Sequence, residues 1–262
     1  MVSNIIIWWS VFVMSAIVFI WMGKMFGSVS GIVNYFIIQE SMGLLFLFLS
    51  GSMLQFMLLL IKSGVSPFHF WIFSVGLDLK DFMLMWFLVI QKLPFIPVIA
   101  CLYEWVYFYV LVLGLFICHL QYFVLSSDSK MVMISSTESF GWLILLLCWG
   151  YWSYLVLVGF YMMAMMILLG GLSKDFYAGS IGWEGVLMFM NFPLGLVFLS
   201  KYYAISLLSS QNFLLLLLFF SVVLVYMCLM LWVLCLMMTK GGPWGSKMSI
   251  YLIGLTSVLM LI

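Results

Sequence analysis

The chain has 262 residues, of which 68% are hydrophobic and only 6% charged, and its formal net charge at pH 7 is +1. Soluble domains are about 45–50% apolar and about 25% charged, so no water-soluble core accommodates this composition. A net charge this small also excludes a nucleic-acid-binding surface. The solvent must be lipid, and the expected class is an all-α polytopic membrane protein with about ten helices at roughly 20 residues per span.

Cutting the sequence at polar and glycine clusters places the first five spans at 4–22, 31–50, 53–77, 82–103 and 105–125. The second five fall at 130–149, 151–171, 183–208, 212–238 and 248–262. Connections are short, and no soluble domain interrupts them. No basic segment followed by a small-residue cleavage site opens the chain, so the first span reads as a retained helix rather than a signal peptide.

The basic residues are all lysine. Lys24, Lys80, Lys130, Lys174, Lys240 and Lys247 fall in alternate connections, on one side of the membrane. Positive residues stay on the side of synthesis, so both termini are expected on the opposite side.

In the second span Glu40 sits mid-membrane, within "IIQES". The third span carries "IKSGVSPFHFW" at 61–71. If Lys62 ended a helix, only Met53 to Ile61 would precede it, nine residues and too short to cross. Lys62 is therefore expected about 13 Å deep at 1.5 Å per residue, near the midplane of a roughly 30 Å core. Burying such a lysine costs about 2.5–3.5 kcal/mol on insertion scales, so it should face a polar interior. Lys92 is central in the fourth span, Glu138 lies deep in the sixth and Lys201 in the second half of the eighth. A single buried charge is readily explained as a structural ion pair. Five of alternating sign point to a hydrated charge relay.

The third and eighth spans share a second property. Each carries an interior proline, Pro67 and Pro193, and proline removes a helix donor and clashes with the preceding turn. Broken backbone at membrane depth is tolerated where it is buried or lines a water-filled cavity. The two spans are five apart, hence oppositely oriented. This is the pattern of an inverted repeat, 1–125 against 126–262, each half with one discontinuous helix and one buried lysine.

Cys101, Cys118, Cys148, Cys228 and Cys235 stand singly in apolar runs with no C-x-x-C, which disfavours a metal or disulfide. His69 and His119 are the only histidines, too few for bis-haem ligation. His69, beside the helix break, is read as a hydrogen-bonded structural residue, with proton transfer a weaker reading. "GGPWG" at 241–245 is a turn, and stretches such as "YMMAMMILL" are lipid-facing or packing surface.

At "KSGVSPFHFW", followed by Gln91–Lys92, the chain resembles NADH dehydrogenase subunit 2, a mitochondrially encoded antiporter-like subunit of respiratory complex I. Members carry K-x-G-x-x-P-F-H-F-W, here Lys62 to Trp71, and then a Q-K pair. "NYFIIQ" at 34–39, "SS" followed by "GW" at 135–142, and Pro193 eight residues before Lys201 add support. The resemblance covers nearly the whole chain. It implies a membrane-arm subunit that translocates protons, enzymatic only as part of NADH:ubiquinone reductase. No cofactor would sit on this chain; FMN and iron–sulfur clusters would lie elsewhere in the complex, and bound phospholipid is compatible with it. Partners would be other membrane-arm subunits, including another antiporter-like one, and lipids, in the mitochondrial inner membrane, so that the chain is not a free monomer. The family's charge axis maps onto Lys62, Lys92 and Lys201.

Two departures stand out. The family's W-x-G-x-E glutamate has no acid matching it in "WWSVFV", and the histidine beside "GW" is replaced in "SSTESFGW", with Glu138 one position earlier. The resemblance also implies that several of the family's N-terminal residues are absent here, and the brevity and composition look like a nematode-type version. Glu40 is therefore expected to have taken over the pairing with Lys62. Two other function classes share the same charges: a stand-alone cation/proton antiporter, and a structural membrane scaffold.

Overall fold

A computed structural model of the chain describes residues 4–26, 29–79, 81–104, 106–122, 124 and 128–147, with isolated positions 158, 159, 201, 205, 222 and 223. All regular elements among the described residues are helical. They comprise the first six expected spans. The tenth span, Pro193 and all but isolated positions of the seventh, eighth and ninth spans lie outside the described residues. So do Lys80, Lys174, Lys240 and Lys247.

Helix α1 (Ile5–Phe26) starts where Asn4 Oδ1 accepts the Ile6 N–H at 3.0 Å, filling an orphan donor of the first turn. Phe12, Ala16 and Phe19 recur at helical spacing and are buried, while Met14, Ile17, Val18 and Trp21 are exposed. Both faces are apolar. A helix of this kind is stable only when its outer face meets hydrocarbon. Helix α2 (Val29–Phe48) buries Gly31, Ile32, Tyr35, Gln39, Gly43 and Phe46, again leaving large apolar side chains outside. Both helices are long and apolar enough to cross a membrane.

The third span is broken as expected, but its stop is Gly64 rather than Pro67. Helix α3 (Ser52–Ser63) ends with Gly64 at φ 66°, ψ 41°, the left-handed conformation that glycine adopts at little cost. Gly64 N–H bonds to Ile61 O at 3.1 Å and Val65 N–H to Leu60 O at 3.0 Å, the two bonds of a Schellman motif. The loop through Pro67 then enters α4 (Phe70–Gly76). Carbonyls freed by the break are taken up again. Ile61 O also accepts Trp71 Nε1–H at 2.9 Å, and Lys62 O accepts Gln39 Nε2–H at 2.9 Å. The loop lies against α7 so closely that a Cβ at Gly114 would stand 2.2 Å from Ser66 O.

The fourth span, expected as one helix, is also broken. Helix α5 (Asp81–Leu88) gives way to a 3₁₀ turn, Ile90–Lys92, and then to α6 (Phe95–Leu102). The cause is Pro94 together with Pro97. They have no N–H to offer Ile90 O and Leu93 O, which instead accept Leu93 N–H at 3.1 Å and Ile96 N–H at 3.2 Å. Helices α7 (Tyr107–Tyr122) and α8 (Asp128–Leu147) complete the described part. Lys24 and Lys130, expected in connections, occupy the last turn of α1 and the first turn of α8.

α2 packs on α1, α3 and α4; α3 packs on α6; and α8 receives α4, α6 and α7. The interior this creates is inverted relative to a soluble protein. Gln39, Gln55, Lys62, His69, Gln91, Lys92, His119, Glu138 and Lys201 are all buried, and the exposed surface is rich in Ile, Leu, Val, Met and Phe.

Candidate functional site

Lys62 reaches the interior as the penultimate residue of α3, two residues before the break at Gly64. Its side chain crosses to α1 and α2. The Nζ lies over the Phe12 ring, 5.0 Å from the centroid, and a Cβ at Gly43 would be 3.1 Å from it. Gly43 thus leaves the space that the ammonium fills. Trp9 Nε1 approaches the same point, 3.5 Å from that Cβ position, and makes no hydrogen bond among the described residues. Glu40, one helical turn before Gly43, is half-buried, and none of the ion pairs among the described residues joins it to Lys62. Of the two expected forms of the pairing, direct contact within 4 Å or contact through an ordered water, the direct one is not made among the described residues.

Lys92 ends the 3₁₀ turn. Its Nζ donates to Ser136 Oγ at 3.0 Å and Ser136 O at 3.3 Å on α8, and lies 5.2 Å from the centroid of the Phe140 ring. The Ser136 hydroxyl in turn donates to Leu88 O at 3.2 Å, a carbonyl freed where α5 ends. The break and the lysine are therefore held by the same serine. Beside it, Gln91 Nε2 donates to the Tyr35 hydroxyl. A cavity of about 10 Å³ opens between the two lysines; Gln39, Lys62, Ser63, Gln91 and Lys92 line it on one side, and Trp71, Ile72, Phe87 and Phe95 supply an apolar wall. That is room for about one water with several polar partners around it.

The third group centres on Glu138, which is fully buried. Its Oε1 lies 2.9 Å from Lys201 Nζ and 3.1 Å from His119 Nε2, and accepts Trp142 Nε1–H at 3.4 Å. Tyr122 O–H donates to Oε2 at 3.1 Å. His119 and Tyr122 are three apart on α7 and present one face to α8. Charged donors on a buried carboxylate make strong hydrogen bonds, so this group is firmly tied.

His69 is buried at the loop's end, with Nε2 2.5 Å from Gln121 Oε1 and Nδ1 without a hydrogen-bond partner among the described residues. The structure thus brings Lys62 to Lys92 across the cavity and Glu138 to Lys201 in contact, and it leaves Glu40 at the edge. It adds His119, Ser136 and Gln39, which the sequence reading did not assign. His119 and Tyr122 stood in "CHLQY" at helical spacing, but nothing in one sequence said which helix they would face. Among the described residues no group of three His, Cys, Asp or Glu side chains could hold a metal ion.

No family model matches the chain. Two curated proteins do. The NADH-ubiquinone oxidoreductase chain 2 of Ascaris suum is 42% identical over 205 residues, 78% of this chain and 68% of that protein. The protein of the same name from Caenorhabditis elegans is 42% identical over 204 residues, 78% of this chain and 72% of that protein.

Proposed function

The chain belongs to the NADH-ubiquinone oxidoreductase chain 2 family, and from that membership and the buried charges we propose that it carries protons through the membrane arm of complex I. It is a subunit of an enzyme complex of the mitochondrial inner membrane, with other complex I subunits as its partners. On this reading the NADH, flavin, iron–sulfur and quinone chemistry belongs to other chains, and lipid covers the exposed apolar faces. The two halves, 1–125 and 126–262, form an inverted pair, with both termini towards the intermembrane space.

The observation that carries the reading is the cavity shared by Lys62 and Lys92. Two interrupted spans put two buried ammonium groups on one small cavity with Gln39, Ser63 and Gln91 beside them, where apolar helices would have been the cheaper construction. Lys62 and Lys92 exchange a proton across that pocket through a water, and Glu138 with Lys201 continues the route. A structural scaffold needs each charge tied to an opposite one. Lys62 makes no ion pair within 4 Å among the described residues, and Lys92 is held by neutral oxygens.

The test is Lys62→Ala in assembled complex I. Quinone-linked NADH oxidation and proton uptake should fall together while the complex stays whole. Lys62→Arg should be impaired as well, because a guanidinium does not give up its proton. Normal pumping by the assembled Lys62→Ala complex would remove Lys62 from the route.

A further inference from the structure

Resting on the proton-carrying reading above, we propose that Tyr35 is a positioning residue for the exchange between Lys62 and Lys92, its hydroxyl deciding which end of the Gln91 amide serves the cavity. The cavity has room for about one water, and the ammonium groups of Lys62 and Lys92 beside it can only donate. A water that accepts from them needs acceptors for its own hydrogens. Gln39 and Gln91 line the same cavity, and each amide carries a donor end and an acceptor end. How the two amides are turned therefore decides whether the water meets acceptors or further donors.

Both amides are held by the nitrogen end. Gln39 Nε2 donates to Lys62 O at 2.9 Å, and a backbone carbonyl only accepts, so this amide has one orientation. Gln91 Nε2 donates to the Tyr35 hydroxyl, which is the one hydrogen bond of its side chain among the described residues. Neither Oε1 has a hydrogen-bond partner among the described residues, so each carbonyl is left for the cavity water. Tyr35 is fully buried, and its ring is wedged by Phe19, Phe87 and Trp71 at centroid distances of 4.4, 6.0 and 6.3 Å. The hydroxyl is thus fixed in place. Tyr35 and Gln39 are four apart on α2 and share its buried face, so this helix orients one amide directly and the other through the phenol.

The exchange takes place when one lysine is an ammonium and the other a neutral amine. The water accepts from the ammonium, donates one hydrogen to the amine and keeps the other on an amide carbonyl. One N–H bond of the ammonium breaks as an O–H bond forms on the water. The water's O–H bond towards the amine breaks as an N–H bond forms there, which leaves the water as it began and the charge on the other lysine. No redox partner is involved. Carbonyl dipoles already turned to the water stabilise the positive charge while it passes, and need no rearrangement to do so. An amide turned the other way would point N–H groups at that charge.

The experiment uses intact complex I carrying Tyr35→Phe, Gln91→Met or both, reconstituted in sealed vesicles, with Lys62→Ala measured alongside. Phenylalanine keeps the ring among its aromatic neighbours and removes the hydroxyl alone. The expected result is assembled complex with the wild-type melting midpoint. Quinone-linked NADH oxidation and proton uptake should fall together by roughly two- to tenfold, the worth of one hydrogen bond. Gln91→Met should fall to a similar extent, and adding Tyr35→Phe to it should cost less than about twofold more, because the hydroxyl acts through the amide. A packing role alone would lower the midpoint and leave the rates. Wild-type rates in either single variant, failure of either to assemble, or an undiminished further fall in the double variant overturns the proposal. Complete loss of turnover in Gln91→Met overturns it too, since Gln39 should still hold the water. If Lys62→Ala is slowed in any of those cases, the proton-carrying reading stands without Tyr35. If Lys62→Ala pumps normally, that reading falls and this one with it.

Discussion

Lys62 meets its surroundings through a ring and a glycine rather than through a carboxylate, and each contact makes a prediction. The Phe12 ring, 5.0 Å from Nζ, offers a negative face to a desolvated ammonium. Such contacts contribute about 0.5–2 kcal/mol, the upper end applying away from water. Phe12→Leu keeps apolar bulk and removes the ring face. It should slow proton uptake and quinone-linked NADH oxidation together in an otherwise assembled complex; unchanged rates would show that the ring only fills space. Gly43→Ala acts from the other side. The new methyl would lie 3.1 Å from Nζ, tighter than ordinary contact, and the flexible end of the lysine is the part free to give way. Thermal stability of the complex should therefore hold while pumping falls. A lower melting midpoint with normal pumping would mean that the backbone had moved instead.

Two interrupted spans, α3–α4 and α5–α6, position the lysines, and they were not equally legible in the sequence. "KSGVSPFHFW" announced its break with a glycine and a proline inside an apolar run, although proline was credited with a stop that Gly64 makes. "QKLPFIP" carried two prolines and was still read as one helix, because its apolar run was long enough to cross and nothing in it was charged except Lys92 itself. The helical character of the first six spans and the burial of Lys62, Lys92, Glu138 and Lys201 followed from composition and depth alone. Pairings did not. Whether Lys62 faces Glu40 or Phe12, and whether Glu138 faces His119, depends on helix rotation, and apolar side chains on both faces of α1 and α2 give no periodic signal to set it. Gly64→Ala tests the element directly. It forces an L-residue into the left-handed conformation at about 1–2 kcal/mol, and the added Cβ would lie 2.3 Å from Ile72 Cδ1. The membrane arm should lose thermal stability, and the α3 terminus should shift enough to impair pumping. A variant with wild-type melting and activity would show that the break does not depend on this glycine.

At the scale of the whole molecule the described part of the chain is built inside out, with apolar faces outward and buried polar groups linking one broken span to the next. The described interior runs from Phe12 and Lys62, across the small cavity to Lys92 and Ser136 on α8, and α8 also carries Glu138, bonded to His119 and Lys201. Continuity along that line is the central claim, and water is what must supply it between Lys62 and Lys92, because no side chain bridges the cavity directly. The most direct measurement is a density map of intact complex I at a resolution that shows ordered water around this chain. The account predicts a water between Lys62 and Lys92, hydrogen-bonded to polar groups such as Gln39 or Gln91, and hydration continuing towards Ser136 and Glu138. Packed apolar side chains in that gap, with no water density and the two ammonium groups sealed from each other, would contradict it.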